Sequence, residues 1–286
     1  MLGRWYYRQV SVLVTKADGT TEAFSVSKLK RSLKRSGAGT EEVNEIVGKV
    51  NKILYDGIRT SEIYRRAFEF LRISEKPTAA RYSLRRALFG LGPTGFPFED
   101  FLAQLYETEG YSTKTRVKIM GHCVEHELDV TAFNQEDSFV TEAKFHSRPS
   151  IKSDLQIVMY CYARFLDLRS RKVCPKDQCG IQKFCVATNT KFTQTAEYYA
   201  ECVGIDLLSW DYPRNNNLHD RIQKAKIYPV TVLQELDVGQ RRVLLQRGII
   251  TCRSLLQNER QLRHLHISPS KVEAVISEAR QLCLDR

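Results

Sequence analysis

The residues best suited to chemistry stand in two short stretches, Glu125-His-Glu-Leu-Asp129-Val-Thr-Ala and Phe139-Val-Thr-Glu142-Ala-Lys144. In a strand, alternate side chains share a face. Glu142 and Lys144 therefore project together, with Thr141, Ala143 and Phe145 on the opposite, core side. Asp129 is set among Leu128, Val130 and Ala132, which can anchor its strand. Between the stretches, Asn134-Gln-Glu-Asp137 reads as a polar turn, so the two strands can pair and carry Asp129 towards Glu142. Two carboxylates and an ammonium at a sheet edge suit phosphodiester hydrolysis. The carboxylates would bind Mg²⁺ or Mn²⁺, hard ions that prefer oxygen ligands and retain waters. Such an ion polarises the phosphate and acidifies a bound water, while Lys144 orients that water or neutralises developing charge. The plainer alternative is an exposed Glu-Lys pair on a polar strand face, since Glu-x-Lys is a common tripeptide. The upstream aspartate and the surrounding order of elements favour the site.

That order is legible from residue 96 onward. Pro97 suits the first turn of a helix carrying Phe98, Phe101, Leu102 and Leu105 and closed by Gly110. Strand-like runs follow near 114–120, 124–133 and 138–145. A helix over about 151–167 has Leu155, Val158, Met159, Tyr162 and Phe165 at helical spacing. Then come a strand at Phe184-Cys-Val-Ala-Thr, a helix over 194–203 ended by Gly204, and a strand at Ile205–Trp210. The sequence α-β-β-β-α-β-α-β predicts an α/β (α+β) fold, a mixed sheet flanked by helices.

With these residues in this order, the stretch 96–212 resembles the PD-(D/E)xK nuclease superfamily in the form D-x12-E-x-K, most closely the Mrr-like restriction endonucleases. The resemblance implies a metal-dependent DNA endonuclease of restriction or defence type. Asp129 and Glu142 would hold the metal and Lys144 position the nucleophile. Glu99, on the first helix, would be a further metal-site acid. Gln156 and Tyr160, four apart on one helix face, match a Gln-x-x-x-Tyr element, with Gln156 supporting Lys144 or DNA. No proline precedes Asp129 as the superfamily's name would suggest.

Ahead of this segment, Val10–Lys16 and Thr21–Ser25 flank Asp18-Gly19, a hairpin signal. A basic helix with Leu29 and Leu33 stops at Gly37, and helices are expected over about 41–54, 61–72 and 77–90. Gly92-Pro93-Thr94-Gly95 punctuates the end, giving a first domain over 1–95. Val12-Leu-Val-Thr-Lys16-Ala-Asp-Gly, Phe24-Ser-Val-Ser-Lys28-Leu, Tyr55-Asp-Gly-Ile-Arg-Thr60-Ser-Glu-Ile-Tyr64 and Ala79-Ala-Arg81-Tyr82 resemble the ATP-cone domain of ribonucleotide reductases and their repressor. The resemblance implies ATP or dATP as effector, with Lys16 and Lys28 at the phosphates and Thr60 and Tyr64 lining adenine and ribose. Ala17 replaces the family's usual arginine, which removes a phosphate contact. A packing or dimerising module, or a basic helix (Lys28, Lys30, Arg31, Lys34, Arg35) laid along DNA, are the other readings.

Residues 221–286 are helical in pattern and form the third expected domain, after 96–220. Here 228–284 resembles a helix-hairpin-helix region, with turns at Leu244-Leu245-Gln-Arg-Gly248-Ile-Ile-Thr251 and Leu265-His-Ile-Ser-Pro-Ser-Lys271. The resemblance implies DNA-backbone contacts at Arg247, Gly248 and Lys271, of the kind that grip phosphate without reading sequence. Cys174, Cys179 and Cys185 are spaced C-x4-C-x5-C. Without a tight Cys-x2-Cys pair, buried or incidental thiols are expected rather than a zinc or iron–sulfur centre, for which Cys161, Cys202 or His146 would have to complete the set. His122 and His126 read as polar strand residues.

Charge fits two partners. The 286 residues carry 44 basic and 33 acidic side chains, a net charge of +11, distributed as +9 over 1–95, −4 over 96–220 and +6 over 221–286. Two basic flanks around an acidic middle suit a polyanion held by the flanks and a cation gathered by the middle. No apolar run approaches the length of a membrane span. Eight cysteines without an export-like start point to a reducing, cytoplasmic setting. DNA and an adenine nucleotide are the expected partners, with no membrane, and cutting both strands favours a two-fold homodimer. A non-catalytic, nucleotide-responsive DNA-binding regulator is the rival reading, and a structure-specific repair nuclease a further one.

Overall fold

The computed structural model describes residues 12–74, 76–171 and 180–283, and the chain divides into two compact units that meet in sequence at Ser83 and Leu84. In the first unit, strands β1 (Leu13–Thr15) and β2 (Thr21–Ala23) form the expected antiparallel hairpin, and β3 (Ile58–Arg59) joins β1 in parallel to give the order β2-β1-β3. Helices α1 (Val26–Arg35), α2 (Thr40–Asn51), α3 (Thr60–Ser74) and α4 (Lys76–Tyr82) cover this small sheet. Their apolar stripes (Leu29 and Leu33, Val43 and Ile46, Ala67 and Leu71) bury one core with Val14 and Ile58. The expected helix over 77–90 is two helices. The helical run is interrupted at Ser83, whose hydroxyl donates to the Ala80 carbonyl at 2.8 Å, and α5 (Leu84–Phe89) belongs to the second unit. Such a serine competes with the helical ladder for its own backbone.

The second unit holds a five-stranded mixed sheet. After α6 (Phe96–Thr108) come β4 (Ser112–Met120), β5 (Glu125–Phe133), β6 (Ser138–Lys144), β7 (Lys152–Ser153) and α7 (Leu155–Leu168). Then follow β8 (Lys183–Thr188), β9 (Lys191–Phe192), α8 (Gln194–Val203) and β10 (Asp206–Leu208). The sheet order is β10-β8-β6-β5-β4, antiparallel on the β4–β5–β6 side and parallel from β6 to β10. β7 and β9 form a separate parallel pair. The expected start of α7 at 151 moves to Leu155 because Asp154 caps it, accepting the Ile157 N–H at 3.3 Å, and residues 152–153 are strand instead.

Alternation along β6 sends its residues to two different helices. Val140 joins Leu128, Phe184 and Val186 against Val158 and Cys161 of α7. Phe139, Thr141 and Phe145 meet α6: Tyr106 lies edge-on to Phe139 at 5.0 Å, its hydroxyl is 3.1 Å from Thr141 Oγ1, and Phe98 packs on Phe145 at 6.0 Å. Phe98, Phe101, Leu102 and Leu105 of α6 are wholly buried, each contributing about 1.5–3 kcal/mol.

The segments expected as separate domains, 96–220 and 221–286, pack as one unit. Helices α9 (Leu218–Ala225), α10 (Val238–Gln246), α11 (Cys252–Gln257) and α12 (Pro269–Cys283), with 3-10 turns at Val230–Val232 and Glu259–Leu265, make the helical end. Arg221 forks onto the Glu109 carboxylate beyond α6, Thr251 donates to Gln104 at 2.8 Å, and Thr231 donates to the Ala87 carbonyl at 2.6 Å. Glu278 of α12 accepts the N–H groups of Gln234 and Glu235 at 2.7 and 3.1 Å. Short helices bury too little alone, and these links attach them to the sheet domain. Among the described residues no helix is long and apolar enough to cross a membrane.

Candidate active site

The β5–β6 ladder runs from Phe133↔Ser138 to Val130↔Thr141. One step further in the same register would set Asp129 opposite Glu142. There the side chain takes over from the ladder: Asp129 Oδ2 accepts the Ala143 N–H at 2.7 Å. Glu142 is 6% exposed and holds two cations, Lys144 Nζ at 2.5 Å on Oε1 and Arg164 of α7 on Oε2. The second guanidinium nitrogen of Arg164 donates to the Glu127 carbonyl, and the ring of Tyr160 lies 5.5 Å from its centre. The alternation expected of Glu142 and Lys144 is present, with Asp129 drawn in from the neighbouring strand.

The charges are unevenly matched. Burial, reinforced by the Glu142 charge and more weakly by Glu99, pushes the Asp129 carboxyl up to about 6, against the Ala143 N–H that favours ionisation. Burial would lower the Lys144 ammonium, but its hydrogen bond and charge pairing with Glu142 outweigh that and raise it. Both cations thus hydrogen-bond Glu142 and neither bonds Asp129. A further cation touching both carboxylates would relieve the strain on Asp129. Mg²⁺ suits this oxygen-only pair, because it is commonly held by one or two carboxylates, waters and the substrate's own phosphate.

Glu99, whose charge also reaches Asp129, has polar partners of its own. It is buried on α6, its carboxyl raised chiefly by that burial, and it accepts from Arg116 at 3.0 Å, while Arg116 also reaches Asp100 at 2.7 Å. Arg116 makes this fork from a left-handed backbone conformation (φ 56°) within β4. Among the described residues no group of three or more His, Cys, Asp or Glu side chains is arranged to hold a metal ion; Asp129 and Glu142 are the two carboxylates that the β5–β6 register, continued one step, sets across from each other. Gln156 and Tyr160 are exposed on α7, two turns and one turn ahead of Arg164. Arg164 itself was not singled out in the sequence; its signal was the spacing of Gln156, Tyr160 and Arg164, which continues one helix face.

Beyond Lys144 the chain is fixed at His146. Buried Asn189 accepts the His146 N–H and donates to its carbonyl, both at 2.9 Å, and His146 Nε2 lies 3.1 Å from Ser153 Oγ. Burial, helped by the Lys144 charge, lowers the His146 imidazole. Cys174 and Cys179 lie outside the described residues. Cys185 is a buried residue of β8, its thiol pushed up to about 12 by burial, Cys161 is likewise buried, and Cys202 is exposed.

In the first unit, Lys16 and Lys28 converge on one carboxylate, Glu22, at 2.8 and 3.0 Å. Two ammonium groups that share one anion are close enough to share a phosphate. Thr60 opens α3, and Tyr64 one turn later stacks on Tyr82 with centroids 4.9 Å apart and rings 9° from parallel. In the helical end, Gly248 closes α10 with φ +74°, a conformation that favours glycine. Arg247 beside it is exposed. At the second turn His266 takes the left-handed conformation (φ 49°), and Lys271, in the first turn of α12, donates to Gln240 at 3.0 Å.

Comparison with known proteins bears on both units. Residues 12–88 match the ATP cone domain, and residues 228–283 match the domain described as AF1548-like, C-terminal. An uncharacterized protein of Archaeoglobus fulgidus is 36% identical over 182 residues, which is 63% of this chain and 99% of that relative. The crystal structure of a protein of unknown function, AF1548, is similar with a TM-score of 0.54 and 34% identity, covering 66% of this chain and 98% of that one. The N-terminal match supports adenine-nucleotide binding by the first unit.

Proposed function

We propose that this chain, which belongs to the AF1548-like family, is a metal-dependent DNA endonuclease whose activity answers to ATP or dATP. The observation that carries the reading is a buried Glu142 bonded to Lys144, with Asp129 brought beside it where its carboxylate replaces the β5–β6 ladder. Asp129 and Glu142 would hold Mg²⁺ or Mn²⁺, which when bound supplies Lewis-acid activation of the phosphate and a more acidic water. Lys144 would then turn from Glu142 towards the attacking water and the developing phosphorane charge. Arg164 keeps Glu142 oriented while Lys144 is engaged elsewhere. Gln156 lies exposed on the same helix, available to Lys144 or to DNA.

The first unit would act as nucleotide sensor through Lys16 and Lys28, exchanging Glu22 for phosphate, with Thr60 and Tyr64 beside the nucleoside. Arg247, Gly248 and Lys271 would grip DNA backbone. A defence nuclease of restriction type, working as a homodimer in the cytoplasm, is the setting this combination suits best; a structure-specific repair enzyme uses the same chemistry.

One observation favours a second reading, a non-catalytic nucleotide-responsive regulator of DNA. Glu142 is already satisfied by Lys144 and Arg164, an arrangement complete without metal. Plasmid incubated with the protein and Mg²⁺ or Mn²⁺, with ATP, dATP or neither, separates the two. Nicking or linearisation that is lost in Glu142→Ala and in Lys144→Ala supports the nuclease. Retarded but uncut plasmid under every condition leaves the regulator.

A further inference from the structure

An open cavity of about 710 Å³, with Arg164 in its lining, lies between α7 and the turn at 121–124 that joins β4 to β5. Its walls are apolar: Val124, Tyr160 and Leu166 are 55%, 58% and 42% exposed, with Ala163 between them. Large apolar side chains exposed around one hollow mark a binding surface more often than isolated ones do. Arg164 lies beneath the Tyr160 ring, and this is the same guanidinium that holds Glu142. The cavity and the carboxylate site therefore share a residue.

The opposite wall is held rigidly. The Asp167 carboxylate accepts the Cys123 N–H at 2.7 Å and lies 2.7 Å from His126 Nε2, and the Asp167 carbonyl accepts the His122 N–H at 2.9 Å. Arg171 donates to the Gly121 carbonyl at 2.7 Å, and a Cβ at Gly121 would collide with the Asp167 carboxylate. The His126 hydrogen bond, with the backbone donors, keeps the Asp167 carboxyl well below the usual range, so its charge is spent on the wall itself. At the rim His122 and Arg169 are exposed. The cavity thus offers an aromatic face and apolar walls with a basic edge.

We infer that this cavity receives an unpaired nucleobase, stacked on Tyr160, with the adjoining phosphates at His122 and Arg169. The placement of that base next to the cut rests on the nuclease reading above; the stacking itself does not. Any base has a π-face to offer, and stacking on an aromatic side chain is tolerant of sequence. A base inside a duplex has both faces covered and must leave the stack before it can enter such a pocket. The substrate class is then DNA with an unpaired base beside the scissile phosphate, and an intact duplex is the poorer ligand.

The test measures binding of the full-length chain in Ca²⁺, which takes the place of Mg²⁺ to limit cutting. The probes are a single-stranded oligonucleotide carrying 2-aminopurine and a blunt duplex of the same sequence. Expected are tighter binding of the single strand, quenched 2-aminopurine fluorescence, and a loss of about tenfold or more in single-strand affinity for Tyr160→Ala, with Tyr160→Phe restoring it. Because Tyr160 also covers Arg164, Leu166→Glu provides an independent variant from an exposed position, and it should cause a comparable loss. Equal affinity for both probes, or equal weakening of both by the two variants, overturns the inference. Plasmid left uncut in Mg²⁺ while the Tyr160-dependent preference holds would remove the nuclease and keep the pocket. Cutting without that preference would do the reverse.

Discussion

Asp129→Asn should make the protein more stable, and the gain should depend on pH. The folded chain raises the Asp129 carboxyl from an ordinary 3.8 to about 6, through burial first and then the charge of Glu142. A proton is therefore held more tightly in the folded state than in the unfolded one. The associated stabilisation is complete below the ordinary value and is lost as pH rises through 6. At pH 8 the ionised carboxylate costs about 3 kcal/mol on this basis, and about 2 after allowance for screening of a side chain that is not wholly buried. Asparagine has no charge to desolvate, and its side-chain oxygen can still accept the Ala143 N–H. The variant should melt about 4–8 °C above the wild type at pH 8, given the few degrees per kcal/mol of a domain this size. The gap should close as pH falls from 6 to 4. Mg²⁺ added at pH 8 should raise the melting temperature of the wild type and leave Asp129→Asn unmoved, since a ligand stabilises only the state that binds it. Calorimetric melts across pH, with and without Mg²⁺, read all of this. Equal melting temperatures at pH 8, or a gap that persists unchanged at pH 4, would refute the charge crowding from which the metal site is argued.

Arg164→Ala leaves the buried Glu142 with Lys144 as its remaining hydrogen-bonded cation, so stability should fall by about 2–4 kcal/mol in chemical denaturation. Arg164→Lys should recover part of that loss, because it restores the charge without the second bond to the Glu127 carbonyl. Lys16→Ala and Lys28→Ala should each abolish or sharply weaken ATP and dATP binding in titration calorimetry. Neither should change the melting temperature appreciably, since exposed ion pairs such as theirs with Glu22 contribute little to stability; a large drop would mean that these lysines serve the fold.

Much of the site could be read in advance because it depends on strand geometry. Period-two alternation put Glu142 and Lys144 on one face and Thr141 and Phe145 on the other, and Tyr106 and Phe98 duly cover the latter pair. The turn at Asn134–Asp137 set the register: the Asn134 side chain accepts the N–H groups of Glu136 and Asp137, closing a short hairpin whose ladder ends at Val130. Other features were hidden. The break at Ser83 interrupts a sequence with good helical spacing, and the bond from its hydroxyl to the Ala80 carbonyl is a local contact that spacing does not show. Glu99 was expected as a metal-site acid, and its spacing gave no sign of the ion pair it makes with Arg116, a strand residue in a left-handed conformation. Nothing in the spacing of Lys16, Glu22 and Lys28 announces that the three share one ionic contact.

Residue order alone fixes which side chains lie on a common face and where the chain turns, because those follow from the repeat of each element about its own axis. What stands opposite each face depends on long-range packing. Arg164 reaches Glu142 across 22 residues, and Asp167 reaches His126 across 41. Contacts of this kind depend on how α7 lies across the sheet, which is settled by the buried packing of Leu128, Val140, Val158 and Cys161 rather than by any local pattern. The same packing turns two ordinary carboxylates into a crowded pair, because removal from water makes their mutual repulsion count.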